Sequence, residues 1–536
     1  MEGNQLVDSG LQIEFLKDTK EPMTLCTKEL TTQDAEVFKY AVSQHYWYQC
    51  YLDDLPIWAM VGEMDAPVEE LLELEAHGEK EHAIHDVLVY AHKKLSIAYN
   101  GKQIIEVNLT YDEPVKVGPG VKLTFTYEVN WIRTSKPFNQ RFNRYLDYSF
   151  FEHQIHWFSI FNSFMMVIFL CGLVALILVR TLNNDYARFT RGEDDDLIEG
   201  GTGGGLGDES GWKQVHGDAF RSPEHLVLLV ACVGTGIQLV SLAIGVVLLA
   251  IAGSLYVDRG AMMTVVLVLY SLTSVVSGYV SGSLFKRYDS VSPSKDRSRW
   301  MYAMALTAVL FPFMVFAVVS ILNIISIYNA AINMISVGTF IAILLLYVCV
   351  CWPLTILGTV LGRHTYANEE TTFPCRVHAL PRPIPERTCF SHPATIIAVT
   401  GILPFGAVFI EIFFIFSSMW SQKFYYVYGF LLLVLLILIV VTVCVTVVAV
   451  YFQLNSEDWR WPWTSFLAAA STAGYVFLYG VYYFWFKTSM SGFLQTNYYF
   501  GYLGLFSIAL GLMCGAIGFV GTFWFVQRIF RNIKVD

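Results

Sequence analysis

Charge is what this sequence has least of. Asp, Glu, Lys and Arg make up 15% of its 536 residues, where soluble domains carry about a quarter. A chain that is 55% apolar with so few charges is not an ordinary soluble globule; it reads as a membrane protein. Cysteine is scarce outside the apolar runs. Only Cys26 and Cys50 fall in the first 155 residues, which leaves open one disulfide if that region meets an oxidising compartment. The remaining thiols sit in apolar runs and behave as small hydrophobes. A secretory leader is also missing, since MEGNQLVDSG has neither a basic start nor an apolar core. No Ser/His/Asp or Cys/His set stands at a usable spacing, and no Gly-Lys-Ser/Thr follows the glycines of EDDDLIEGGTGGGLGDES (193–210). Enzymatic activity is not expected, and no cofactor is implied.

What charge there is lies at one end. Residues 1–155 hold 14 Lys/Arg and 25 Asp/Glu, whereas the remainder is close to neutral. The acidity therefore belongs to an N-terminal soluble domain, and nucleic-acid binding is disfavoured. That domain, 1–155, reads as mainly β with one helix over Thr32–Gln49. Strand-like runs follow at Val87–Ala98, Ile104–Thr110 and Val121–Trp131, and Asn100-Gly101 signals a hairpin between the first two. A small sandwich-like fold is expected. Asn108-Leu109-Thr110 is the single N-glycosylation sequon, which suits a luminal placement.

Residues 156–536 carry nine apolar runs of about span length, at 157–179, 226–252, 262–285, 301–327, 332–361, 394–418, 428–454, 465–486 and 498–526. The fold class is thus a multi-pass α-helical membrane protein with nine transmembrane helices and an N-terminal luminal β-rich domain. With residues 1–155 outside the cytosol, the cytosolic segments carry eighteen Lys/Arg and the opposite loops only Arg259, Lys423 and Lys487. This is a strong positive-inside bias. It makes the acidic, Gly-rich loop 181–225 and the tail 527–536 cytosolic. Trp420, Tyr425, Tyr426, Trp459, Trp461 and Trp463 fall at expected membrane edges, as interfacial aromatics do. Because this topology sends residues 1–155 across the membrane without a leader, the sequence is expected to begin short of its natural N-terminus.

Several positions stand out. Glu411 lies within the apolar run GILPFGAVFIEIFFIF (401–416), where a charge costs at least ~2.5–3.5 kcal/mol. Pro404, with Gly401 and Gly406, is expected to weaken the helix one to two turns before it. Glu411 serves either transport or sensing, or else fixes packing through hydroxyls on neighbouring helices. Gly278-x3-Gly282 and Gly511-x3-Gly515 allow close helix approach, within the bundle or against a partner helix. His153 and His156 flank the first span and could sense acid pH, though an interfacial anchoring pair is the simpler role. Cys375-x2-His378 and Cys389-x2-His392 have zinc-like spacing, but the stiff PRPIP between them opposes closure and no metal is assigned. The chain ends in Lys534-Val535-Asp536, a basic residue, an acid and a free carboxylate together.

These features converge on one resemblance. HYWYQCYLDDLPIW (45–58), HWFSIFNSFMMVIFL (156–170), GWKQVHGDAFR (211–221), FPCRV with PRPIP (373–385), the Glu411 run, YYVYGF (425–430) and the terminal KVD resemble the nonaspanins, the endomembrane protein 70 family. The resemblance implies Golgi and endosomal membranes and a non-enzymatic part in the surface delivery of other membrane proteins. It also implies roles in adhesion and phagocytosis, and cargo with Gly-rich membrane helices. Under it, Lys534 and Asp536 match a tail signal bound by the COPI coat. The rival class is a secondary transporter or channel using Glu411; one buried carboxylate, nine spans and no visible inverted repeat speak against it.

Overall fold

A computed structural model describes residues 9–65, 86–142, 211–252, 261–291, 298–329, 335–365, 373–385, 392–420, 428–488 and 492–531, isolated positions within these stretches excepted, together with scattered positions between 161 and 183. The chain divides into two compact units, one built mainly on residues 6–153 and the other mainly on 154–536. Each is described by itself.

Among the described residues the smaller unit has helix α1 (Thr32–Ser43) and nine strands: β1 (Met23–Glu29), β2 (Trp47–Leu52), β3 (Leu55–Met60), β4 (Gly62–Asp65), β5 (Asp86–Val89), β6 (His92–Asn100), β7 (Gln103–Asp112), β8 (Val115–Lys116) and β9 (Lys122–Arg133). Helix α1 starts where Thr31 and Asp34 cap one another: Asp34 N donates to Thr31 Oγ1 and Thr31 N donates back to the Asp34 carboxylate. Hydrogen bonds from Lys28 and Thr31 hold that carboxyl below the usual range. The helix stops at Ser43, short of the expected Gln49, because Trp47–Gln49 pair with β3 as a strand instead. Sheet pairing gives the Tyr48 backbone a partner in Ala59, and aromatic residues favour that surroundings over a helix end.

Strands β1, β9, β6 and β7 form one sheet in that order, with β6 and β9 parallel. Hairpin β2–β3 and the trio β4–β5–β8 form two further sheets. The β6–β7 turn lies where Asn100-Gly101 pointed, with Gly101 at φ +63°, a left-handed value that costs glycine nothing. The run expected as one strand, Val87–Ala98, is two. It breaks at Tyr90–Ala91, so that β5 joins the trio and β6 the four-stranded sheet. Alternation could not reveal the break, because Val87, Val89, Ala91, Leu95 and Ile97 are all buried and keep one phase through it.

The larger unit is a bundle: α2 (Leu226–Ala252), α3 (Ala261–Val291), α4 (Arg299–Tyr328), α5 (Val337–Thr365), α6 (Pro393–Thr400), α7 (Ile402–Trp420), α8 (Tyr428–Asn455), α9 (Trp461–Lys487) and α10 (Phe493–Phe530). Among the described residues, eight helical segments are long and apolar enough to cross a membrane. The first expected span, 157–179, is described only in part. Its described positions are helical, Val167 packs against Ile437, Val441 and Val445 of α8, and Cys171 Sγ lies 3.7 Å from Cys444 Sγ.

Prolines set the irregularities. Pro312 inside α4 has no N–H for the Ala308 carbonyl one turn back, and the Tyr347 hydroxyl donates to that carbonyl at 2.7 Å instead. Helix α5 takes a π turn over Tyr347–Cys351 just before Pro353, which relieves the ring's clash with the preceding turn.

Candidate functional site in the helix bundle

The expected span 394–418 is interrupted: α6 ends at Thr400, Gly401 turns, and α7 begins at Ile402. The break falls nearly three turns before Glu411, earlier than Pro404 itself. Pro404 lies in the first turn of α7, where a missing N–H costs least, and the carbonyl it leaves without a donor is that of Thr400, the last residue of α6. Beside it, Tyr475 on α9 donates to Ala398 O in the last turn of α6 at 2.6 Å. A Cβ on Gly401 would meet Ser471 Oγ at 2.2 Å and Thr472 N at 2.7 Å, so α9 lies against the break at backbone distance.

Glu411 is 5% exposed on the face of α7 that also buries Val408, Ile412 and Phe416. This face joins a core with Leu438 of α8, Val476 and Tyr483 of α9, and Leu503, Leu510 and Cys514 of α10. Among the described residues it is the only buried carboxylate within a membrane helix. Rings line the approach: Phe409 and Phe416 stand 5.0 and 5.8 Å from Tyr479, and Phe416 is 5.9 Å from Tyr483. Thr472 on α9 and Ser507 on α10 each bury a hydroxyl that finds no hydrogen-bond partner among the described residues, and Thr442 on α8 faces the Cys514 thiol. Ser507 stands one turn from both Leu503 and Leu510, on the helix face that builds this core. The arrangement is a buried carboxylate on the face where α7 packs against α8, α9 and α10. It can hold or pass a proton, or fix helix register.

The glycine pairs lie in helix seams. Added Cβ atoms on Gly278 and Gly282 of α3 would meet the carbonyl oxygens of Thr355 and Thr359 at 2.2 and 2.5 Å. Reciprocally, Gly358 and Gly362 of α5 face the carbonyls of Val275 and Tyr279 at 2.1 and 2.3 Å. Gly511 and Gly515 of α10 face Ala473 and Phe466 of α9. Both seams are filled by this chain's own helices.

Two motifs assigned no individual role in the sequence meet at the end of the bundle where α10 finishes. His378 N donates to Gly217 O at 3.0 Å and Arg382 N to Asp218 Oδ2 at 3.2 Å, which lays the 375–382 segment along the 211–221 loop. Asp218, 2% exposed, also accepts from Arg221 at 2.6 Å. Trp461 is fully buried and donates to Ala219 O at 2.7 Å, so it is a keystone of this cap and not an interfacial anchor. Trp459 and Trp463 likewise donate to the Arg382 and Glu224 carbonyls. Phe530, the last residue of α10, is packed among Trp212 and Phe220 and accepts from Cys375 Sγ. Aromatic density in both motifs was the available signal; the sequence did not say that they touch.

Asn108 lies within β7, and its Oδ1 accepts from Arg144, which also pairs with Glu106. Among the described residues no His/Cys/Asp/Glu group suits a metal; Cys389 lies outside them, and His392 caps α6 by accepting from Ala394 N. His153, His156, Lys534 and Asp536 also lie outside the described residues.

A β-rich unit on one chain with a bundle of span-length helices defines a multi-pass membrane protein. The chain belongs to the endomembrane protein 70 family, whose model matches residues 1–493. It is 35% identical to transmembrane 9 superfamily member 4 of Arabidopsis thaliana, an alignment covering 100% of this chain and 87% of that relative. It is 34% identical to member 3 of the same plant, over 100% of this chain and 87% of the relative, and 32% identical to member 1 of Bos taurus, over 100% and 86%. No solved structure matches.

Proposed function

We propose that this chain is a non-enzymatic protein of Golgi and endosomal membranes that sorts other membrane proteins toward the surface. In this reading the β-rich unit is luminal, Asn108 is glycosylated, and the tail returns the protein by presenting Lys534 and Asp536 to the COPI coat. The observation that carries it is the family match along nearly the whole chain, together with the sequence Lys534-Val535-Asp536. The positive-inside bias supports a cytosolic tail. The cap adds a physical reason why that tail starts from a fixed point: Phe530 is buried six residues before the end. Cargo helices, including Gly-rich ones, would use lipid-facing surfaces other than the two glycine seams, which are already occupied. His153 and His156 would tune cargo release in acidic compartments. Replacing Lys534 and Asp536 by Ala shifts the steady-state distribution from Golgi to later compartments, read by imaging against markers; an unchanged distribution removes the retrieval signal.

A second reading, secondary transport through Glu411, draws support from one observation. The buried carboxylate shares its span with the Gly401 break, as in transporters built on broken helices. Ion flux through reconstituted vesicles decides it.

A further inference from the structure

The 373–385 segment leaves the cap through Leu380-Pro381-Arg382-Pro383-Ile384-Pro385. Each proline fixes its own φ and drives the residue before it into extended backbone. Leu380, Arg382 and Ile384 each precede a proline, and from Pro381 to Pro385 the chain makes no turn, bend or strand pairing. The conformation this leaves is a polyproline II helix. Such a helix repeats every three residues and so has three facets. Leu380 shares one with Pro383, Pro381 shares the next with Ile384, and Arg382 shares the third with Pro385.

The third facet is spent on the cap. Arg382 N donates to Asp218 Oδ2 at 3.2 Å, and Arg382 O accepts from Trp459 Nε1 at 3.3 Å. The Arg382 guanidinium donates to the Glu457 carboxylate at 3.2 Å. This residue is therefore held by its N–H, its carbonyl and its side chain together. The other two facets face outward. Leu380 is 83% exposed, Pro381 and Pro383 are exposed, and Ile384 is half-buried. Among the described residues no donor reaches the Pro381 or Pro383 carbonyl. A leucine this exposed gains nothing from the fold of its own chain. What remains is a ridge of apolar side chains and open carbonyls on backbone that cannot fold away.

We propose that the ridge over residues 380–384 is a docking segment for a partner protein with an aromatic-lined groove of the kind that reads polyproline II helices. Such a groove takes apolar side chains from two adjacent facets between aromatic rings and can donate hydrogen bonds to the carbonyls along them. Leu380, Pro381, Pro383 and Ile384 fill those two facets, while Arg382, between the pairs, stays bonded to the cap. The ordering cost of binding is reduced in advance by three proline rings and the Arg382 bonds. A phosphate or lipid headgroup finds no counter-charge on the ridge, since its one guanidinium is paired with Glu457. In the proposed orientation the partner is cytosolic. Binding to the purified chain tests the ridge independently of that orientation.

The test titrates the purified full-length chain in detergent against a panel of purified, fluorescently labelled SH3 and WW domains, read by anisotropy. Saturable one-to-one binding of at least one domain is expected. Leu380→Ala and Pro383→Ala each weaken it by about tenfold, the scale of one apolar side chain lost from a groove. Tyr328→Ala, at an apolar side chain 88% exposed elsewhere in the bundle, leaves the affinity unchanged and controls for general stickiness. All three positions are exposed, and thermal midpoints report that each variant is folded. Four outcomes would each overturn the proposal. They are no binding across the panel, undiminished affinity in folded Leu380→Ala and Pro383→Ala, an equal loss in Tyr328→Ala, and self-association of the chain that Leu380→Ala abolishes. The last would assign the ridge to a second copy instead.

Discussion

At the scale of single residues, neighbours decide what a charge does. Lys93 and Glu411 are both ionisable groups on faces that the sequence pattern marks as apolar, one in a sheet and one in a helix. Glu411 was legible because a lone acid in a 20-residue apolar run is conspicuous. Lys93 was equally visible in principle, since it keeps the odd-numbered phase of Val87, Val89, Ala91, Leu95 and Ile97. Two adjacent basic residues, His92 and Lys94, with outward partners in Glu128 and Asp112, hid it. For Glu411 the two functional readings give opposite outcomes. If the site moves protons or cations, Glu411→Gln abolishes flux in reconstituted vesicles by roughly a hundredfold, the scale of losing an essential proton-transfer group. If the carboxylate only fixes register, the wild type shows no flux and the Gln variant, nearly isosteric, still delivers cargo.

At the scale of elements, the helices are shaped by what glycine and proline remove. The α3–α5 contact brings two backbones together along Gly278, Gly282, Gly358 and Gly362, so a side chain at any of these has a carbonyl in its way. Gly282→Val is therefore expected to force the pair apart and cost about 1–3 kcal/mol, the usual range for overpacking. Gly406→Ala serves as the control, because a Cβ there meets nothing within 4 Å. Thermal midpoints in detergent, followed by size-exclusion profile, should fall for the first and hold for the second. Where carbonyls lose their donors the bundle answers from neighbouring helices: Tyr347 serves Ala308, freed by Pro312 on α4, and Tyr475 serves Ala398 where α6 ends. The prolines were readable in the sequence. The tyrosines, 39 and 77 residues from the carbonyls they serve, were not.

At the scale of the molecule, charge asymmetry and apolar run length carry the organisation. Acid is concentrated in the β-rich unit and basic residues in one set of loops, and the proposed orientation rests on the second of these. The proposed function requires the last residue to lie in the cytosol. A tag placed after Asp536 should be digested by protease added outside sealed Golgi vesicles, as seen by blotting; a protected tag would reverse the topology and with it the coat contact. The cap places the end of α10 among the two aromatic motifs, so loss of Trp461 would be felt at the tail as well as in the bundle.

The sequence by itself determined the membrane class, most of the span-length helices, the β-rich unit and the family. These follow from run length, periodicity and motifs, all of which are local along the chain. Only the tertiary structure decided which faces meet. It filled the glycine seams from within, drew the 211–221 loop and the 375–382 segment into one cap, divided Val87–Ala98 between two sheets and turned Lys93 toward Tyr48. The physical reason is the same in each case: packing partners are chosen by the shape and unsatisfied polar atoms of distant segments, and neither is written in the spacing of nearby residues.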